Sequence, residues 1–137
     1  MVFRISRALL AQIIYQAAKS SHAEICGLLL GAGDEVREIR PAANVALDPA
    51  SRFEIDPATL IAAHRAARNG GMAVLGHYHS HPNGVIEPSP CDADMALPDG
   101  ALWLICAPDG RYALWRAGDT GLHGRFTRCA LELTQID

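Results

Sequence analysis

The sequence lacks the long apolar runs and the clustered charge that mark two large classes of protein. No stretch among its 137 residues approaches the roughly 20 consecutive apolar residues that a membrane span needs. The 12 Lys and Arg residues are scattered rather than gathered in a stripe, and the formal net charge is −3. Nucleic-acid binders usually carry a basic stripe, so this composition disfavours that class. Internal repeats and low-complexity tracts are also lacking.

Paired cysteines are a third feature that the chain lacks. Its four cysteines, at positions 26, 91, 106 and 129, lie far apart and form no Cys-x-x-Cys pair, which excludes a zinc ribbon and a redox dithiol. Small secreted scaffolds are usually shorter and richer in cysteine. We therefore interpret these cysteines as small core residues in a reducing compartment, and we expect a cytoplasmic protein.

The composition predicts one globular domain that spans residues 1–137. Hydrophobic residues make up 50% of the chain. A chain of this length can bury roughly two-thirds of its unfolded surface in a single core.

The pattern of apolar residues predicts an α/β fold, in which helices flank a mixed β-sheet. Strands and helices alternate without regular βαβ units, which favours mixed over purely parallel pairing. The predicted helices are an amphipathic helix capped by Ser6, a helix from Asp56-Pro57 to about Arg68, and a short helix from Ser89-Pro90 to about Leu97. The predicted strands cover 24–31, 36–39 (ended by Pro41), 72–80, the hairpin 101–107 and 112–116, and a final piece within 122–131. Residues 44–52 are predicted to form a loop, which a short extended piece at 53–55 follows.

A His-x-His pattern lies at the end of the predicted strand 72–80. Side chains two residues apart on a strand project from the same face, so His79 and His81 can converge on one ion. Histidines that simply satisfy a strand give the same pattern, and both interpretations stay open on this pair alone.

Two further segments place carboxylates where a site can form. Ser89-Pro90-Cys91-Asp92 is typical of a helix start, with Ser89 as the N-cap and Asp92 at its third helical position. Two imidazoles and one carboxylate also make a three-ligand metal site with an open fourth position, which is typical of catalytic zinc. Glu24 begins an otherwise apolar strand, and it either occupies an exposed strand end or has a functional role.

Taken together, these residues resemble the JAB/MPN metalloprotease family and its JAMM motif. That motif is a glutamate, then His-Ser/Thr-His, seven residues, Ser, two residues and Asp. The resemblance extends from about Phe3 to Arg116, and the matching residues are Glu24, Gly76, Tyr78, His79-Ser80-His81, Ser89 and Asp92. It implies the MPN fold, which is cytidine deaminase-like.

The resemblance also implies the role of each site residue. His79, His81 and Asp92 would bind one Zn²⁺, Glu24 would be the general acid/base without ligating the metal, and Ser89 would help to stabilise the tetrahedral intermediate. Zinc can lower the pKa of water to about 7, and a nearby carboxylate can transfer protons. A hydroxyl can accept a capping N–H and donate to an oxyanion at once.

The remaining polar residues near the motif receive weaker predictions. His77 shares the face of His79 and His81, and we interpret it as a pocket wall or as support for the ligands. Ser80 faces the other way and is expected to brace the site. Cys91 is expected to pack rather than ligate. Surface or helix-face roles are expected for the isolated His22, His64 and His123.

The function that the resemblance implies is a zinc-dependent peptidase or isopeptidase. Members of the family cleave after the C-terminal glycines of ubiquitin-like or sulfur-carrier proteins. Only 54 residues separate Glu24 from His79, which leaves little room for the insertions of the larger, ubiquitin-specific members and favours the compact prokaryotic type. A non-catalytic MPN-type binding or scaffold domain is the alternative. A small-molecule zinc deaminase is disfavoured because the H-x-E…P-C-x-x-C pattern is absent.

Overall fold

A computed structural model of the chain describes residues 1–135. Within them, seven strands and three helices follow one another. The strands are β1 (Val2–Ser6), β2 (Cys26–Ala32), β3 (Glu35–Ala42), β4 (Ala73–Ser80), β5 (Leu102–Cys106), β6 (Tyr112–Leu122) and β7 (Phe126–Thr134), and the helices are α1 (Arg7–Ala18), α2 (Pro57–Arg68) and α3 (Pro90–Met95). The α/β class that the sequence predicts is thus confirmed. No helix in the described part of the chain is long and apolar enough to cross a membrane.

The seven strands form one mixed sheet that closes on itself as a barrel, in the order β1-β3-β2-β4-β5-β6-β7. Strand β4 runs antiparallel to β2 and parallel to β5. The closure is made by β1, which runs parallel to β7 with Phe3 opposite Leu131. The predicted sheet is mixed, as observed, but its closure was not predicted. Strand β1 was missed, and its partner β7 lies more than a hundred residues away along the chain.

Most predicted elements are present with boundaries shifted by a few residues. Ser6 caps α1 by accepting the Leu9 N–H at 3.1 Å, as predicted. The prediction that Pro41 ends its strand is wrong, because Pro41 lies within β3 opposite Gly27. Strand β1 pairs with β3 only at Glu35 and Val36. The other edge of β3 at Pro41 therefore requires no N–H donor, which is the setting in which a strand tolerates proline.

The core has two main parts, one on each side of strand β4. Tyr78, fully buried, faces the part that packs against α1, and its hydroxyl donates to Gln16 Oε1 at 3.0 Å. The residues on the opposite face of β4 meet the second part, which contains Phe53, Trp103, Trp115 and Phe126. All four cysteines are free, and three of them are buried in agreement with the predicted core role; Cys91 is partly exposed.

Candidate metal centre

Four side chains that are far apart in the sequence meet at the end of β4. Glu24, His79, His81 and Asp92 are all buried, and each offers one ligand atom within 4.8 Å of the others. The Nε2 atoms of His79 and His81 are 3.2 Å apart. Asp92 Oδ2 lies 3.0 Å from His81 Nε2 and 3.4 Å from His79 Nε2. The structure therefore brings together four of the five residues that the sequence singled out, and Ser89 lies next to them.

Strand pairing explains how Glu24 reaches the histidines. The prediction that Glu24 begins strand β2 is wrong, because the residue lies two positions before Cys26. Its neighbour Ile25 donates its N–H to Ser80 Oγ at 3.0 Å, and the Ile25 carbonyl accepts the Ser80 N–H at 3.1 Å. This pair extends the antiparallel register of β2 and β4 by one step. Ser80 thus braces the site from the opposite face of β4, as predicted.

Asp92 is placed by the start of helix α3. Ser89 and Asp92 form a capping box, in which Ser89 Oγ accepts the Asp92 N–H at 3.0 Å and Asp92 Oδ2 accepts the Ser89 N–H at 2.9 Å. Oδ2 is also the oxygen that faces the two histidines. One carboxylate oxygen therefore fixes the helix start and contributes to the cluster.

The connection between β4 and α3 is held by side chains that bind its carbonyl groups. His81 Nδ1 donates to the Val85 carbonyl at 2.8 Å, and Trp115 Nε1 donates to the Ile86 carbonyl at 3.1 Å. His123 Nε2 lies 3.0 Å from the Pro88 carbonyl, and Arg111 Nη2 donates to the Gly84 carbonyl at 2.7 Å. The sequence predicted only a surface or helix-face role for His123, since nothing local indicates a contact 35 residues away.

The bond to Val85 also decides how His81 presents its ring. A carbonyl oxygen only accepts hydrogen bonds, so Nδ1 must carry the proton. When the ring is neutral, Nε2 therefore carries no proton and its lone pair is free for a metal ion, whereas in the protonated ring Nε2 donates to Asp92 Oδ2 at 3.0 Å. An imidazole that donates one nitrogen to a carbonyl and offers the other is the usual arrangement of a metal-binding histidine.

The electrostatics of the cluster separate its two acids. Burial raises the pKa of Glu24 to about 7, and the nearby Asp92 contributes in the same direction. Burial also acts to raise the pKa of Asp92, but its hydrogen bonds with His79 and His81 outweigh burial and hold that pKa far below its usual range. Asp92 is therefore an anion at neutral pH, whereas Glu24 gains or loses its proton at a pH close to neutral.

The two histidines also differ in pKa. Burial lowers the pKa of His79 despite its hydrogen bond with Asp92. His81 is buried too, but its interactions with Asp92 outweigh burial and raise its pKa.

The donor set fits a metal ion with nitrogen and oxygen ligands. Bonds of about 2.0–2.2 Å to a tetrahedral ion place neighbouring ligand atoms roughly 3.3 Å apart. The three distances between His79, His81 and Asp92 are 3.0–3.4 Å. Glu24 Oε1 is buried and has no hydrogen-bond partner among the described residues. An unsatisfied buried acceptor costs folding free energy unless a ligand or a water molecule binds to it.

The site opens into a cleft of about 480 Å³. Glu24 and His81 lie on its lining together with Ser89, Glu87 and Cys91. Cys91 is thus partly exposed at the cleft and lies outside the four-residue cluster.

His77 shares the face of His79 but also lies outside that cluster. Its ring packs edge-on against Trp103, with centroids 4.3 Å apart, and lines a separate groove on the far side of His79. His77 thus lines the wall of this groove and not of the cleft beside Glu24 and His81.

Two residues near the centre were missed from the sequence. The segment 44–52 is correctly predicted as a loop, and an extended piece at 53–55 follows it, but no local signal indicates what they contact. In the fold, the Phe53 ring stacks on His79, and Asn44 Nδ2 donates to the Glu24 carbonyl at 2.9 Å.

The sequence is similar to those of several known proteins. A family model described as prokaryotic homologs of the JAB domain matches residues 6–118. A desampylase of Haloferax volcanii is 39% identical over 97 residues, which are 69% of this chain and 70% of that protein. A Thermus thermophilus protein named as a probable TtuB-protein conjugate cleaving protease is 34% identical over 96 residues, covering 70% of this chain and 64% of its own length.

Similarity to solved structures concerns the fold. The solution structure of a Desulfitobacterium hafniense protein superimposes with a TM-score of 0.82 at 24% identity, over 99% of this chain and 94% of that one. The arrangement of strands and helices is thus shared with a protein of quite different sequence.

Proposed function

The chain belongs to the family of prokaryotic homologs of the JAB domain, and from that premise we propose that it is a zinc-dependent isopeptidase that cleaves protein conjugates. The observation that carries the proposal is the convergence of four buried side chains, Glu24, His79, His81 and Asp92, beside an open cleft. Names of two relatives, a desampylase and a conjugate-cleaving protease, support the choice of reaction.

His79, His81 and Asp92 would hold the metal ion. Two imidazole nitrogens and one carboxylate oxygen are a ligand set typical of catalytic zinc, whereas Mg²⁺ and Ca²⁺ prefer oxygen ligands throughout. When bound, zinc supplies Lewis-acid chemistry, by which it polarises a carbonyl group and makes water more acidic.

Glu24 is the proposed general acid/base. It lies within reach of all three ligands and lines the cleft, and burial brings the pKa of its carboxyl to about 7. A group with such a pKa takes up and releases a proton readily at neutral pH. Glu24 would accept a proton from the attacking water and pass it to the departing amine, leaving a free carboxylate on the other product.

Ser89 is proposed to stabilise the oxyanion that forms when water attacks the amide. Its Oγ accepts the Asp92 N–H, and the hydroxyl proton therefore stays available as a donor toward the cleft. A positioned donor of this kind is worth several kcal/mol only when charge develops on the carbonyl oxygen. The capping and catalytic roles are compatible because they use different parts of the hydroxyl group.

The proposed substrate is a conjugate or fusion of a ubiquitin-like or sulfur-carrier protein, cut after its C-terminal glycines. An extended glycine tail has no side chains beyond Cα and can approach a recessed site closely. The cluster is buried and is reached through the cleft, which suits such a tail better than a folded surface.

The direct test is cleavage of defined conjugates by the zinc-loaded protein, followed by mass spectrometry. Substrates are the ubiquitin-like and sulfur-carrier proteins of the same organism, prepared as linear extensions and as lysine isopeptides. We expect a product that ends at the terminal glycine, absent with the Glu24→Gln variant. Wild-type protein that binds zinc and these partners without cutting them supports the scaffold alternative instead.

A further inference from the structure

The two histidines of the cluster are held in different ways. His81 Nδ1 donates to the Val85 carbonyl, which fixes the ring by a hydrogen bond. His79 Nδ1 is buried and has no hydrogen-bond partner among residues 1–135. Metal-binding histidines almost always donate their second nitrogen to an oxygen, and that bond sets the ring orientation. No residue among 1–135 therefore fixes the His79 ring through Nδ1 in the way that Val85 fixes His81.

The aromatic ring of Phe53 lies directly against the His79 imidazole. The two ring centroids are 4.2 Å apart and the planes are inclined by 22°, which is a stacked arrangement. The edge of Trp103 lies near the imidazole, with centroids 5.6 Å apart at 83°. An imidazole between a stacked ring and a perpendicular one cannot rotate about its Cβ–Cγ bond without a clash. The direction of His79 Nε2 is thereby defined.

Phe53 is itself fixed from both sides by one side chain. Asn44 Nδ2 donates to the carbonyl of Arg52 at 3.1 Å, and Asn44 Oδ1 accepts the N–H of Glu54 at 3.0 Å. These are the residues immediately before and after Phe53, which is only 4% exposed. The same Nδ2 also donates to the Glu24 carbonyl. Asn44 therefore ties the position of the Phe53 ring to the body of the site.

We propose that Phe53 is a positioning residue that orients the His79 imidazole by stacking, and that Asn44 holds Phe53 in place for this purpose. The inference rests on the proposed function, in which His79 is a metal ligand. It concerns the binding of the metal rather than the cleavage of a substrate, so the two can be tested separately.

The test measures the zinc dissociation constant by competition with a chromogenic chelator. Phe53→Leu removes the aromatic plane and keeps an apolar side chain, whereas Phe53→Tyr restores the plane. Phe126→Leu is the matched control, because Phe126 is buried in the same apolar cluster and packs on Trp103, with centroids 5.0 Å apart. Visible absorption of the Co²⁺-loaded variants reports the ligand geometry independently of activity.

We expect Phe53→Leu to weaken zinc binding by about 10–100-fold, the usual effect of removing a group that orients a ligand. Phe53→Tyr should restore the wild-type affinity and the wild-type Co²⁺ spectrum, and Phe126→Leu should leave both unchanged. If Phe53→Leu and Phe126→Leu weaken zinc binding equally, Phe53 acts only as a core residue and the proposal is overturned. Unchanged zinc affinity in Phe53→Leu would overturn it as well.

Asn44→Asp provides a second measurement if Phe53→Leu does not fold. The substitution keeps the shape and the acceptor Oδ1 but removes the donor that binds the Arg52 and Glu24 carbonyls. Weaker zinc binding in this variant supports the proposal, and wild-type affinity contradicts it. Wild-type protein that binds zinc but cleaves no conjugate would refute the proposed function and leave these comparisons valid.

Discussion

Ser89 and Asp92 exchange two hydrogen bonds at the start of α3, at 3.0 and 2.9 Å, and the second of these uses the carboxylate oxygen nearest to the histidines. The local rule that starts a helix and the geometry of the site are therefore the same contact. This relationship connects the stability of a short helix to the geometry of the four-residue cluster, so a change of Ser89 affects both.

Ser89→Ala removes both the cap and the proposed oxyanion donor. We expect a loss of about 1 kcal/mol in the free energy of unfolding from the cap. Turnover should fall further, by about 10²–10³-fold, if the hydroxyl donates to the oxyanion. Ser89→Thr keeps the hydroxyl and should retain most activity. Steady-state kinetics and denaturant unfolding of both variants check this. If turnover falls no further than the loss of stability accounts for, Ser89 acts only as the helix cap.

His79→Ala should abolish stoichiometric zinc binding, since it removes one of the three proposed ligands from a buried cluster. The measurement is metal analysis after dialysis against buffered zinc. His64→Ala is the control, because His64 is exposed on α2 and should leave the zinc content at one per chain. Undiminished zinc in His79→Ala would contradict the ligand assignment.

Glu24→Gln should keep the zinc but lose nearly all turnover. The amide has nearly the same shape as the carboxyl, but it cannot accept and return a proton at neutral pH. Zinc content and cleavage rate are measured on the same preparation. An active Gln variant would remove Glu24 from the proton transfers, whereas a zinc-free one would place Glu24 among the ligands.

The raised pKa of Glu24 also predicts how pH affects the metal-free protein. Its pKa is about 7 in the folded chain and 4.5 as the ordinary value, so the folded state holds this proton more tightly than the unfolded state. The contribution to stability is present below pH 4.5 and is lost as the pH rises toward 7.

Glu24→Gln does not titrate at this position. As the pH rises from 5 to 8, the free energy of unfolding of the chelator-treated wild type should therefore fall relative to that of chelator-treated Glu24→Gln. The expected relative change is on the order of 3 kcal/mol. Urea unfolding at the two pH values measures it. A difference between the two proteins that stays constant with pH would show that Glu24 does not carry the shift.

Gly76→Ala should destabilise the fold, because an added Cβ would lie 2.1 Å from the Leu102 carbonyl oxygen on the adjacent strand β5. Backbone on both sides leaves no room to adjust, and we expect a loss of about 3 kcal/mol. Gly118→Ala is the matched change, with no heavy atom of the described chain within 4 Å of the added methyl group. Thermal or urea unfolding distinguishes them, and equal stability of the two variants would contradict the close approach of β4 and β5.

Sequence patterns predicted the parts of this protein that depend on near neighbours. The cap at Ser6, the start of α2 at Pro57 and the capping box at Ser89 follow from residues within four positions of one another. His79 and His81 share a face because strand residues alternate. The motif spacing identified the family, which the match over residues 6–118 confirms.

Contacts between residues that are far apart in the chain could not be predicted from local sequence patterns. The pairing of β1 with β7 that closes the barrel was missed, and so were the Phe53 stack on His79 and the contact of His123 with Pro88. Each of these depends on how separate elements pack. No local periodicity or propensity records it.

The sequence by itself determined the chemistry available to this protein: two imidazoles on one strand face, a carboxylate on a capped helix and a glutamate beside an apolar strand. Tertiary structure alone decided that Glu24 meets the others, since the Ile25–Ser80 hydrogen bonds bring together residues 55 positions apart. It also decided how each histidine ring is held, by the Val85 carbonyl at His81 and by the stacked Phe53 ring at His79. The physical reason is that residue type fixes which bonds a side chain can form, whereas orientation and pKa depend on the neighbours that folding supplies.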